Sequence, residues 1–133
     1  MPTQPPLAAQ DAKSRTYLAD EALTAGVIVV EGAAEGGVKL PAAEGEGLIV
    51  GVVKEDAAID TPVEIYKEGI VPCRSSAAIT RGSQIAIGTN AGLAKVAAPG
   101  SGANHFIAGF ARTENSGADW FLLELVKSVM QGA

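Results

Sequence analysis

The amino-acid sequence predicts an all-β protein, a small antiparallel β barrel or sandwich with an extended N-terminal arm. Three observations predict this fold. Short runs of β-branched residues recur along most of the chain, and two of them alternate apolar and polar side chains with a period of two. Glycine, asparagine or small polar residues separate the runs about every 8–12 residues, as turns do in sandwiches and barrels. Helical periodicity is scarce.

The first predicted strands lie between residues 26 and 56. The run GVIVVEG indicates a buried strand, which ends at the small-residue turn 32–37. VKLPAA is short and stops at Pro41, which suits the edge of a sheet. LIVGVVKED, residues 48–56, is the strongest strand in the chain. Gly51 in its middle predicts a bulge or a close approach of another backbone.

The strands of the second half follow the same rules. TPVEIYKEGIVPC alternates Val63 and Ile65 with Glu64 and Tyr66, as a half-buried strand does. SQIAIGT and LAKVA predict a hairpin across the turn 89–92.

The remaining segments predict a final β pair and one short helical turn. HFIAGFAR and DWFLLELV predict a final β pair around the turn 114–117. WFLLELVKSVM is long enough for a helix, but its aromatic and β-branched content favours a strand. SSAAIT suits one short helical turn capped by Ser75 or Ser76.

Residues 1–20 differ from the β-rich domain predicted over residues 21–133. Pro2, Pro5 and Pro6 oppose a regular ladder, and no periodic apolar face follows them. We expect a flexible arm that is disordered in isolation. Its sizeable apolar side chains, which could order on a partner, are Leu7, Tyr17 and Leu18. The alternative is a frayed terminus without a task.

Composition excludes several classes of function. The chain has 133 residues and suits one domain; its charged fraction of 19% is below the roughly 25% typical of soluble domains. The net charge is −5 and the basic residues are scattered, which predicts no direct binding to nucleic acid. The apolar runs are far shorter than the about 18 residues of a membrane span. A single cysteine excludes an intramolecular disulfide and fits synthesis in a reducing cytoplasm.

Residues able to carry chemistry are few. Cys73 and His105 lie on segments separated by two predicted strands, and Cys73 has no activating context, so we interpret it as a small core residue. One cysteine and one histidine cannot form a zinc tetrad. The acidic residues lack the spacing of a calcium loop, and GTNAGLAK lacks the closing residues of a P-loop. The prediction is a protein with no catalytic residues, cofactor or metal, and not an enzyme.

The order of the strand and turn motifs resembles that of small bacteriophage capsid decoration (cement) proteins. Three stretches carry the resemblance: GVKLPAAEGEGLIVGVVKEDAAIDTPVEIYKEGIVPC, AAITRGSQIAIGTNAGLAKVA and IAGFARTENSGADWFLLEL. The likeness covers about Gly26 to Val126. It is a pattern of turns and strands without a diagnostic signature.

The resemblance implies a virion protein, made in the host cytoplasm, that binds the outer surface of an assembled phage head as a homotrimer. It would bridge neighbouring subunits of the major capsid protein and so stabilise the shell. Leu7, Tyr17 and Leu18 are then the candidate capsid-binding residues of the arm. The alternative is a β-barrel module of a phage or cell surface that binds a carbohydrate or another ligand. The few tyrosine and tryptophan residues, Tyr17, Tyr66 and Trp120, count against a carbohydrate site.

Overall fold

The computed structural model describes residues 8–41, 48–89, 91–98 and 104–131. Within these ranges the regular structure is all β without a helix, which confirms the predicted fold class. The strands are β1 (Gln10–Ala19), β2 (Ile28–Glu31), β3 (Gly37–Lys39), β4 (Ile49–Val53), β5 (Pro62–Arg74), β6 (Gln84–Ile87), β7 (Ala94–Val96), β8 (Asn104–Ala111) and β9 (Trp120–Gln131). They form one sheet in the order β1-β3-β2-β4-β5-β9-β8-β6-β7, and β1 also pairs with β5.

Five of these strands close into a ring. Because β1 pairs with both β3 and β5, the order β1-β3-β2-β4-β5 returns to its start. Neighbouring strands of the ring run antiparallel, except that β1 and β3 are parallel. Small aliphatic side chains suit the narrow interior of such a ring. The cluster that fills it consists of Ala19, Leu23, Val27, Val29, Val38, Val50, Val53, Val63 and Ile65.

A second core lies between the outer face of the ring and the strands that continue the sheet. Successive residues of a strand point to opposite faces, so Val29 faces the ring interior while Ile28 and Val30 face the second core. β2 and β4 are therefore buried on both faces. The second cluster consists of Ile28, Val30, Ile49, Val52, Val71, Cys73, Ile79, Ile85, Ile87, Ala94, Ala108, Ala111, Phe121 and Leu123.

Residues 10–19 of the predicted arm form strand β1, so the expectation that no regular ladder forms there is wrong. β1 pairs with β5 from Gln10 opposite Ile70 to Leu18 opposite Pro62. This ladder needs only backbone groups, and most side chains of β1 are exposed. A strand with solvent on most of its side chains shows no apolar alternation, which hides it from the sequence pattern. The boundary between arm and body near residue 20 stays a prediction.

Two further sequence expectations are also wrong. VKLPAA supplies β3, which lies between β1 and β2 rather than at an edge, because β1 pairs with its second side.

SSAAIT forms no helical turn. Ser75 is buried there, and its hydroxyl accepts a hydrogen bond of 3.0 Å from the Asn115 side-chain amide. Ser75, one of the two candidate helix caps, therefore helps to fix the turn before β9 instead.

The prediction for Gly51 is confirmed in both of its forms. The ladder between β2 and β4 has an irregularity next to the pair Val29–Gly51, as a bulge requires. A side-chain carbon at Gly51 would also overlap the carbonyl oxygen of Tyr66 on β5. β5 thus approaches β4 so closely that a residue with a side chain does not fit at position 51.

Gly51→Ala should lower the free energy of unfolding by about 1–3 kcal/mol, because the added methyl forces β4 and β5 apart. Urea unfolding followed by circular dichroism measures this. The matched control is Gly117→Ala, where no atom lies within 4 Å of the added carbon. We expect the control to stay within about 0.5 kcal/mol of wild type. Equal stability of the two variants would contradict the close approach.

Candidate binding surface

One end of β1 presents exposed apolar side chains on a fixed backbone. Leu18 is 46% exposed and lies opposite Pro62 of β5, which is also exposed. The turn before β5 carries Ile59, which is 55% exposed, and the Asp60 amide in that turn donates to the Ala19 carbonyl at 2.8 Å. We call Leu18, Ile59 and Pro62 the Leu18 surface. It can bury apolar area against another protein with little loss of backbone freedom.

Tyr17 points the opposite way from Leu18. Its side chain packs against the cluster inside the ring and is half-buried. Its hydroxyl accepts a hydrogen bond of 2.9 Å from the Lys67 ammonium, and the same ammonium lies 5.6 Å from the centre of its ring. Tyr17 therefore locks β1 in place. The third candidate, Leu7, lies outside the described residues.

A cavity of about 460 Å³ opens at one end of the ring, and we call it the ring mouth. Tyr17, Lys67 and Lys127 line it, together with Glu31, the loop 32–37, Ile49 and Val50. Burial lowers the pKa of Lys127, and the positive charge of Lys67 lowers this pKa further. The sequence pattern did not single out either lysine. The alternation of Val63, Ile65 and Lys67 is a signal that could have placed Lys67 on the ring-facing side of β5.

The thiol and the imidazole are not brought together. Cys73 pairs with Phe121 and His105 pairs with Met130, nine residues further along β9. At roughly 3.3 Å per residue, about 30 Å of strand separates them. Cys73 is fully buried, and burial raises the pKa of its thiol to about 12, so the thiolate is scarce at neutral pH. Burial lowers the pKa of His105, and the charge of Lys95 lowers it further.

The described part of the chain was also compared with the requirements of a metal site and of a membrane-spanning helix. No group of three or more histidine, cysteine, aspartate or glutamate residues there is placed to hold a metal ion. None of its segments is a helix long and apolar enough to span a bilayer.

The aromatic side chains do not form a platform for a sugar ring. Trp120 is only 6% exposed and packs beside Gly26, and the guanidinium of Arg74 lies 5.7 Å from its ring centre. Tyr17 and Tyr66 are half-buried. No observation therefore favours the carbohydrate-binding alternative.

Two comparisons with known proteins found a match, one in structure and one to a family model. The head fiber gp8.5 N base of bacteriophage phi29 has a similar structure, with a TM-score of 0.65. That likeness covers 90% of this chain and 98% of that chain at 19% identity, so it shows the fold alone. No curated protein sequence matches. The family model for phage cement proteins matches residues 9–125, which is most of the chain. The chain therefore belongs to the phage cement protein family, whose role is structural and associated with the capsid.

Proposed function

We propose that this protein binds the outside of an assembled phage head as a homotrimer and bridges neighbouring subunits of the major capsid protein. The observation that carries the proposal is the Leu18 surface, which presents exposed apolar side chains of β1, of β5 and of the turn before β5 on a fold of the cement family. A protein that binds only the assembled lattice stabilises it by mass action. Three linked copies raise the effective concentration of each contact, so weak individual contacts suffice.

Within this proposal, the arm of residues 1–20 contributes in two ways. Leu7 and Leu18 contact the capsid directly. Tyr17 acts through its hydrogen bond to Lys67, which holds β1 and thereby the orientation of Leu18. Residues 21–133 are the proposed β-rich domain, and the pairing of β1 with β3 and β5 joins the arm to it.

Leu18→Asp should weaken binding to heads that lack this protein by about tenfold or more, which corresponds to about 1.4 kcal/mol. The physical reason is that a carboxylate in an apolar contact loses its hydration without gaining a partner. Co-sedimentation of labelled protein with purified heads measures the affinity. Leu48→Asp is the matched control, since Leu48 is 60% exposed and lies outside the Leu18 surface. Equal binding by both variants would remove Leu18 from the interface.

The homotrimer has its own test, because oligomeric state can be measured without capsids. Size-exclusion chromatography with light scattering should give a mass close to three times 13.4 kDa. A mass of one chain at every concentration would contradict a trimer in solution.

A further inference from the structure

We propose that the ring mouth is a pocket for a carboxylate, supplied by an aspartate or glutamate side chain of a partner's peptide segment. The pocket brings two ammonium groups from different strands, Lys67 of β5 and Lys127 of β9, into one cavity of about 460 Å³. A volume of this size lies within the range of pockets that enclose a small ligand or a few residues of a peptide.

The donors in the pocket match a carboxylate. Lys67 donates one of its three N–H groups to the Tyr17 hydroxyl oxygen, at 2.9 Å, which leaves two for a ligand. Since Tyr17 accepts that bond, its own O–H stays available as a donor. Two ammonium groups and one phenol can thus donate to the two oxygens of a carboxylate, and such charge-assisted bonds are about twice as strong as neutral ones.

The electrostatics of the pocket also favour an anion. Lys127 and Lys67 repel each other, and neither makes an ion pair with another described residue. A negative charge between them would replace this repulsion with two attractions. Convergence of like charges is otherwise unfavourable, and the positive charge of Lys67 helps to lower the pKa of Lys127.

Two carboxylates in the lining narrow the choice of ligand. Glu31 and Glu35 also line the cavity, and both are exposed, as is Lys127. These carboxylates bring the formal charge of the lining to zero, so the cavity offers no net positive charge to a polyanion such as nucleic acid or a polyphosphate. A single carboxylate can reach the lysines while its neutral peptide neighbours occupy the wall of small residues along the loop 32–37. The source of this segment rests on the proposed function, under which it belongs to the major capsid protein.

The pocket can be tested on the isolated protein with the blocked peptide Ac-Ala-Glu-Ala-NH2, and with Ac-Ala-Gln-Ala-NH2 for comparison. NMR of protein with 13C-labelled lysine reports each ammonium through its ε-methylene signal. We expect the glutamate peptide to shift the signals of Lys67 and Lys127 and to raise the pKa of Lys127. We expect no such response to the glutamine peptide. Equal responses to the two peptides, or no response to either, would overturn the pocket.

Variants then separate the pocket from general electrostatic attraction. The double variant Lys67→Gln/Lys127→Gln should bind the glutamate peptide at least about tenfold more weakly. Lys39→Gln, an exposed lysine outside the cavity, should bind it as wild type does. The single variant Lys127→Gln keeps the Lys67–Tyr17 bond and guards against a folding defect in the double variant. Unchanged binding by both pocket variants would overturn the assignment.

A second binding measurement uses the same variants with purified heads. If wild type binds heads and Lys127→Gln, which keeps the Lys67–Tyr17 bond, binds at least about tenfold more weakly than Lys39→Gln, the segment comes from the head. If the pocket variants bind heads as wild type does, the assignment to a capsid segment is wrong. If wild type itself does not bind heads, the proposed function fails, and the peptide titration alone decides whether the pocket takes a carboxylate.

Discussion

Deleting residues 1–19 should abolish the cooperative unfolding transition, whereas deleting residues 1–9 should leave it near that of the full chain. The longer deletion removes β1, which closes the ring by pairing with β3 and β5. The cluster inside the ring would then lose Ala19 and Tyr17 and open to water. β5 would also lose its pairing partner along Pro62–Ile70 and leave its backbone groups exposed. Urea unfolding followed by circular dichroism and tryptophan fluorescence measures both deletions.

The shorter deletion is the control, because it leaves every residue of β1 in place. We expect its free energy of unfolding to stay within about 1 kcal/mol of the full chain, because the pairing of β1 with β3 and β5 is retained. A cooperative transition of normal midpoint in the longer deletion would show that β1 does not hold the ring.

The two deletions also decide how the arm can be studied. Loss of capsid binding after deletion of residues 1–19 would report unfolding of the ring as readily as loss of a contact. Deletion of residues 1–9 removes Leu7, and Leu18→Asp changes Leu18. Comparing these two variants separates the two proposed contacts, and both variants keep β1 paired with β5. The strand that carries the proposed contact is thus part of the body that positions it.

Most strands of the body follow from local pattern. The alternation in β5, the hairpin of β6 and β7 and the final pair of β8 and β9 each depend on residues close together in the chain. β1 does not, since its partner β5 lies about 50 residues away and its side chains contribute little to a core. The internal position of β3 depends on β1 as well, so both expectations fail for one reason: ring closure is a long-range property.

The candidate site, too, could be predicted from the sequence only in part. Leu18 could be chosen from sequence because it is one of few large apolar residues in a polar segment. The opposite direction of Tyr17 follows from the alternation of side chains along a strand, once β1 is known to be one. Lys67 and Lys127 are 60 residues apart and meet only because β5 and β9 both reach the ring mouth. No local pattern can report such a meeting.

Phe121→Ala should lower the free energy of unfolding by about 3–5 kcal/mol, the largest effect we expect from a single substitution. Phe121 is fully buried and lies on β9 opposite Cys73, within the cluster that joins the ring to the outer strands. Its loss removes apolar burial and leaves a cavity that both layers line. Urea unfolding measures the change, with Phe110→Ala as the control, because Phe110 is only half-buried. A loss smaller than that of Phe110→Ala would contradict the packing described for this cluster.

The same variant separates stability from binding. Since Phe121 packs between the layers while Leu18 is exposed on the ring, Phe121→Ala should bind heads as wild type does wherever the variant is still folded. At temperatures where the variant alone is largely unfolded, heads in excess should restore part of the folded population, because they bind only the native chain. A binding defect at low temperature would instead mean that the core cluster sets the shape of the capsid-binding surface.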